Sequence, residues 1–119
     1  VSEILKELVS NVEGASGAIL FDSDGEAILW HGRGDPERLR LRAAYLAVLA
    51  QSCRSALSRL NLGSLDHIIV EYKASIFVLS DVGEGCCFAL ELEPKANLAH
   101  AIKCIKLVTE RIKREILGA

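Results

Sequence analysis

The sequence predicts an α/β (α+β) fold in which helices pack against a five-stranded antiparallel sheet, in the order α-β-β-α-β-β-β-α. Three observations lead there. Apolar residues recur at helical spacing in three separated stretches, within residues 2–12, from 36 to about 60, and from about 94 onward. Five short runs rich in β-branched and large apolar residues lie between them, divided by Gly- and Asp-containing turns. Only the central helix is long enough for a parallel crossover, so the strands joined by short turns must pair antiparallel.

Each element has its own signal. Ile4, Leu5, Leu8 and Val12 form the apolar stripe of a first helix that Gly14 ends. Residues 18–21 and 27–30 are apolar runs around Ser23-Asp24-Gly25, and the Asp-Gly pair predicts a tight hairpin turn with positive φ angles. Asp35 followed by Pro36 is the N-cap and first position of the central helix, with Asn61 and Gly63 closing it. Residues 65–72, 75–80 and 86–92 read as a three-stranded meander with a turn over 81–85. Leu98, Ala101, Ile102, Ile105, Val108, Ile112 and Ile116 form the apolar stripe of a C-terminal helix starting near Pro94.

With 119 residues, half of them apolar and a quarter charged, the chain is expected to be a single domain over 1–119 with one hydrophobic core. A formal net charge of -2 provides no electrostatic excess to draw the surface to nucleic acid or an anionic membrane. No apolar run is long enough to span a bilayer, so membrane insertion is not expected. The first residues mix acids and a lysine with apolar groups and lack the pattern of a signal peptide. A cytosolic location follows, with the four cysteines expected as reduced thiols. The absence of methionine suggests a trimmed start or a longer parent.

The central helix is more apolar than one sheet can bury. Leu39, Ala43, Leu46, Ala50, Cys53, Leu57 and Leu60 make a stripe expected to face the sheet. Yet residues 43–50 read AAYLAVLA without a polar break, so Leu41, Ala44 and Val48 project elsewhere. An apolar second face on a small soluble domain marks an interface. The alternative, a loop of the same chain folded over that face, is disfavoured because the loops are short. The small Ala43, Ala44, Ala47 and Ala50 would let another helix approach. In the following strand, Ile68, Ile69 and Val70 place apolar groups on both faces, as expected of an edge that pairs with a second chain. Helix against helix and edge against edge predict a two-fold homodimer through Leu41, Ala44, Ala47, Val48 and His67 to Val70, burying on the order of 1,600 Å².

The hairpin GAILFDSDGEAI (17–28), the long Ala/Leu-rich helix, the strand IIVEYK (68–73) and the closing helix together resemble the roadblock (dynein light chain) domain over nearly the whole chain. The resemblance implies a homodimer through the central helix and the strand after it. It also implies that the first and last helices share one sheet face and the central helix takes the other. Members of that family serve as dynein light chains, as scaffold subunits in GTPase-regulating complexes, and as bacterial and archaeal partners of Ras-like small GTPases. Carried over by element, the partner platform would be the exposed flank of 38–59, with Arg38, Arg42, Tyr45, Ser52 and Arg59 as candidates.

Other chemistry finds little support. Arg33, Arg38, Arg40 and Arg42 form a basic cluster near the start of the central helix, readable as a contact for an acidic partner or as a solvated face. His100 and Cys104 have the i, i+4 spacing of two metal ligands, but no second pair accompanies them, so no metal is expected. Cys86 and Cys87 are strand neighbours that must point to opposite faces. His31, His67 and His100 are isolated from any nucleophile signature, and Gly83 and Gly85 lie between strands with no helix N-terminus following. The expectation is a protein without catalytic site or cofactor: a homodimeric adaptor that binds a Ras-like small GTPase and modulates its nucleotide cycle. The alternatives are a structural light chain or scaffold subunit indifferent to nucleotide, and a small-ligand sensor.

Overall fold

The computed structural model describes residues 1–117 as three helices and a five-stranded antiparallel sheet. The elements are α1 (Ser2–Asn11), β1 (Ala15–Phe21), β2 (Ala27–Gly32), α2 (Pro36–Arg59), β3 (His67–Glu71), β4 (Ile76–Gly83), β5 (Cys86–Leu92) and α3 (Leu98–Leu117). The sheet order is β2-β1-β5-β4-β3, so β2 and β3 are its free edges. The element order and fold class are those the sequence predicts.

Strand alternation divides the core into two layers. Alternate sheet residues, among them Ala18, Leu20, Val78, Phe88 and Leu90, pack with Ile4, Leu5 and Leu8 of α1 and Ala101, Ile105 and Ile112 of α3. Their neighbours Ile19, Phe21, Phe77, Leu79, Cys87 and Ala89 face the other way and pack under α2. Cys86 and Cys87 accordingly contribute to opposite layers. One polar pair is buried within the α3 layer, where the Ser80 and Thr109 hydroxyls lie 2.7 Å apart and satisfy each other.

Local chemistry explains the boundaries. The Asp35 side chain accepts the Glu37 backbone N–H at 3.0 Å, and Pro36 opens α2 where a missing donor costs nothing. At the other end Asn61 adopts φ 55° and the Leu62 N–H reaches back to Leu57 O at 3.0 Å, closing the helix by a left-handed cap. Helix α3 begins at Leu98, later than Pro94, because the Asn97 carboxamide accepts the His100 N–H at 3.1 Å and makes Asn97 the cap. The side chain of Ile116, placed by the sequence on the α3 stripe, lies outside the described residues.

The β1–β2 turn differs from the two-residue hairpin expected at Asp24-Gly25. It is a longer loop organised by Asp22, whose Oδ1 accepts from the N–H groups of Asp24 (2.9 Å) and Glu26 (3.0 Å). Only Gly25 takes positive φ, at 83°. Its backbone also lies so close to α2 that a Cβ there would stand 2.8 Å from Ala44 Cα. The tight two-residue turn occurs instead between β4 and β5, where Glu84 and Gly85 both have positive φ.

Candidate partner-binding surface

The small side chains of α2 set how the helix lies on the sheet. Leu39, Ala43, Ala47 and Ala50 are its buried residues. The stripe is rotated from the one predicted: Leu46, Cys53 and Leu57 are half-buried, and Leu60 is 66% exposed just past the helix end. Alanines at the contact let the helix settle against the β1–β2 hairpin, so the larger leucines move to its flank. Ala47, expected on the surface offered to a second chain, is instead a core residue at 6% exposure.

Opposite that buried stripe, steps of four and three residues bring Leu41, Tyr45, Val48, Ser52 and Arg59 onto one outward line. Leu41, Tyr45 and Val48 are 61%, 73% and 65% exposed, and Leu49 beside them is exposed as well. The polar continuation is quiet, since the Ser52 hydroxyl donates to Val48 O at 3.0 Å within its own helix. Ala44 is exposed on the flank nearer the hairpin. A groove of about 670 Å³ runs there between α2 and the hairpin, with Asp24, Ala44, Val48, Gln51 and Arg59 among its lining residues.

The basic cluster is dispersed by the fold. Arg42 is turned inward, where its guanidinium pairs with Glu91 of β5 and stands 5.7 Å from the centre of the Phe77 ring. It is thereby engaged within its own chain, unlike Arg38, which lies exposed on a cleft of about 360 Å³ at the start of α2. Arg40 pairs with Glu37 at 3.0 Å and lies 5.3 Å over Trp30. A residue the sequence reading missed is Arg54, which donates to Asp81 Oδ2 at 3.0 Å and to Cys87 Sγ at 2.8 Å. Its partners sit on β4 and β5, remote in sequence, so no local spacing announced it. Burial pushes the Cys87 thiol up to about 11 although Arg54 draws it the other way, which leaves the thiol protonated and poorly nucleophilic.

Strand β3 alternates as a free edge should. Ile68 and Val70 pack partly buried against the layer under α2, while His67, Ile69 and Glu71 are exposed on the α3 side. Next to His67 is a cleft whose titratable groups are Asp66, Asp81, Lys106, Glu110 and Lys113. On α3 itself, Cys104 Sγ and His100 Nε2 are 3.6 Å apart, and among the described residues no three His, Cys, Asp or Glu side chains are gathered to hold a metal ion. No described helix is long and apolar enough to cross a membrane.

Solved structures share this architecture at low sequence identity. A Roadblock/LC7 domain from Streptomyces avermitilis superposes with TM-score 0.89 at 24% identity, covering 98% of both chains. The gliding protein MglB of Thermus thermophilus gives 0.86 at 20% identity over 98% of this chain and 88% of that one. MglB of Myxococcus xanthus gives 0.89 at 13% identity over 99% and 95%. No curated protein matches the chain significantly. The profile of the Roadblock/LC7 domain family matches residues 1–91, from α1 almost to the end of β5, and the chain belongs to that family.

Proposed function

We propose that this protein is a non-catalytic, homodimeric adaptor that binds a Ras-like small GTPase and modulates its nucleotide cycle. The observation that carries the reading is the outward line of α2, where Leu41, Tyr45 and Val48 are each more than half exposed on a helix whose other side is already buried. Three large apolar groups on one face of a small domain call for a protein surface to cover them. The free edge of β3, at the end of the sheet away from β2, supplies backbone donors and acceptors for a second copy. Family membership and the likeness to MglB support a Ras-like GTPase as the partner class in this reading, and the exposed flank with Arg38, Tyr45, Ser52 and Arg59 is the surface offered to it.

Such a protein needs no catalytic group of its own. Binding one nucleotide state of the GTPase more tightly than the other shifts its cycle by that difference in affinity. The test is binding to Ras-like GTPases of the same organism loaded with GDP or with a non-hydrolysable GTP analogue, with turnover followed in parallel. State-selective binding with altered turnover supports the reading. Nucleotide-blind binding, or none, replaces it with that of a structural light chain or scaffold subunit.

A further inference from the structure

The hydrogen-bond pattern of β3 dictates how a second copy can join its free edge. Asp81 N–H donates to Asp66 O at 3.2 Å and Tyr72 N–H to Ser75 O at 3.1 Å, so both residues just outside β3 turn their backbone groups toward the β4 side. Register pairs Ile68 with Leu79 and Val70 with Phe77, and direction alternates along a strand. Ile68 and Val70 therefore spend their backbone groups on β4. His67, Ile69 and Glu71 turn theirs outward to the open edge.

Two identical edges can pair antiparallel only about a two-fold axis perpendicular to the sheet, which keeps each residue on its own face. Outward-turned residues then stand opposite outward-turned residues, and half-buried Ile68 and Val70 stand opposite each other or themselves. The axis can pass through Ile68, Ile69 or Val70. On Ile68 it sets His67 against Ile69 and Glu71 against Leu65, outside the strand. On Val70 it sets Glu71 against Ile69 and His67 against Lys73, again outside the strand. On Ile69 it matches every residue of β3, joins Ile69 to its own copy, and sets His67 of each chain opposite Glu71 of the other.

We propose that the chain pairs with a second copy through β3 with the two-fold axis on Ile69, flanked by two His67–Glu71 contacts. This rests on the homodimer of the proposed function and adds its register. A His67 ring N–H can donate to the facing Glu71 carboxylate in this alignment, whereas the others set Glu71 against Leu65 or Ile69. Ile68 meets Val70 of the second copy on the opposite face, and both α2 helices come to lie on the same side of one continuous sheet.

Disulfide trapping in the full chain reads the register, with linked peptides identified by mass spectrometry. An Ile68→Cys chain mixed with a Val70→Cys chain forms a mixed disulfide at these facing positions, where strands approach most closely, and neither variant links to itself through the new thiol. Self-linkage of Ile68→Cys or of Val70→Cys moves the axis to that residue and overturns the proposal, as does no linkage in a protein that sediments as a dimer. A wild-type protein that sediments as a monomer at micromolar concentration overturns the homodimer itself. As a second measurement, His67→Glu weakens dimerisation about tenfold by setting glutamates opposite each other, and adding Glu71→Lys to the same chain restores it; no weakening, or no restoration, overturns the His67–Glu71 contact.

Discussion

Arg42 on α2 and Glu91 on β5 form an ion pair that ties the central helix to the middle of the sheet. Glu91 also accepts from the Ser16 hydroxyl at 3.2 Å, and its side chain is only 12% exposed. Removing the arginine leaves a carboxylate shut away from water with a single hydroxyl partner. Arg42→Ala is expected to destabilise the fold by about 2–3 kcal/mol, and Arg42→Ala with Glu91→Gln to recover part of that loss. Denaturant unfolding of the two variants checks this. Both changes act on α2 from within the chain, so any loss of partner binding in Arg42→Ala should follow its stability.

The outward face of α2 makes the opposite demand. Val48→Asp and Leu41→Asp put a charge where the free chain is 65% and 61% exposed, so circular dichroism and the unfolding midpoint should change little. In a partner complex seated on this face the same charge is desolvated without a counterpart, at a cost of about 3 kcal/mol or more. Titration against the partner is expected to show weakened binding by both variants, while sedimentation still shows the dimer joined through β3.

Gly25 combines two constraints. Its φ of 83° disfavours any side chain, and a Cβ would stand 2.8 Å from the Ala44 Cα on α2. Gly25→Ala should cost about 2–3 kcal/mol by forcing the hairpin away from the helix. Gly34, also at positive φ but with nothing within 4 Å, should cost less on the same substitution because only the backbone strain remains. Thermal melts of the pair separate close approach from conformation.

The raised Cys87 thiol makes stability depend on alkaline pH. Its folded value of about 11 exceeds the ordinary thiol value of 9.0, so the unfolded chain gives up this proton first as pH rises. The stabilisation is therefore complete below about pH 9 and lost toward about pH 11, amounting to at most about 2 kcal/mol. Cys87→Ala should flatten that part of the stability profile. Alkylation of the folded protein near neutral pH should leave Cys87 unmodified longest among the four cysteines.

Much of this architecture was legible because local chemistry sufficed for it. Asp35-Pro36 marked the start of α2, Asn61 its end, and the apolar runs bounded by turn residues marked β1, β4 and β5. The excess apolar surface of α2 was equally plain in the run from Ala43 to Ala50. Less legible was its division. Ala47 and Leu46 are neighbours of similar apolar character, and either could have faced the sheet on periodicity alone. The basic candidates suffered similarly: nothing near Arg42 in sequence distinguishes it from Arg38, yet one is bound to Glu91 and the other is open to solvent.

The sequence by itself determined the order of elements and the existence of two apolar faces on one helix, since both depend on periodicity and turn chemistry within a few residues. Only the tertiary structure decided which alanines the sheet would take, which arginine would be held by Glu91 and which backbone groups of β3 point to the open edge. Those outcomes depend on the rotation of α2 about its axis and the register of β3 on β4, which arise when surfaces far apart in the chain pack together at fixed distance.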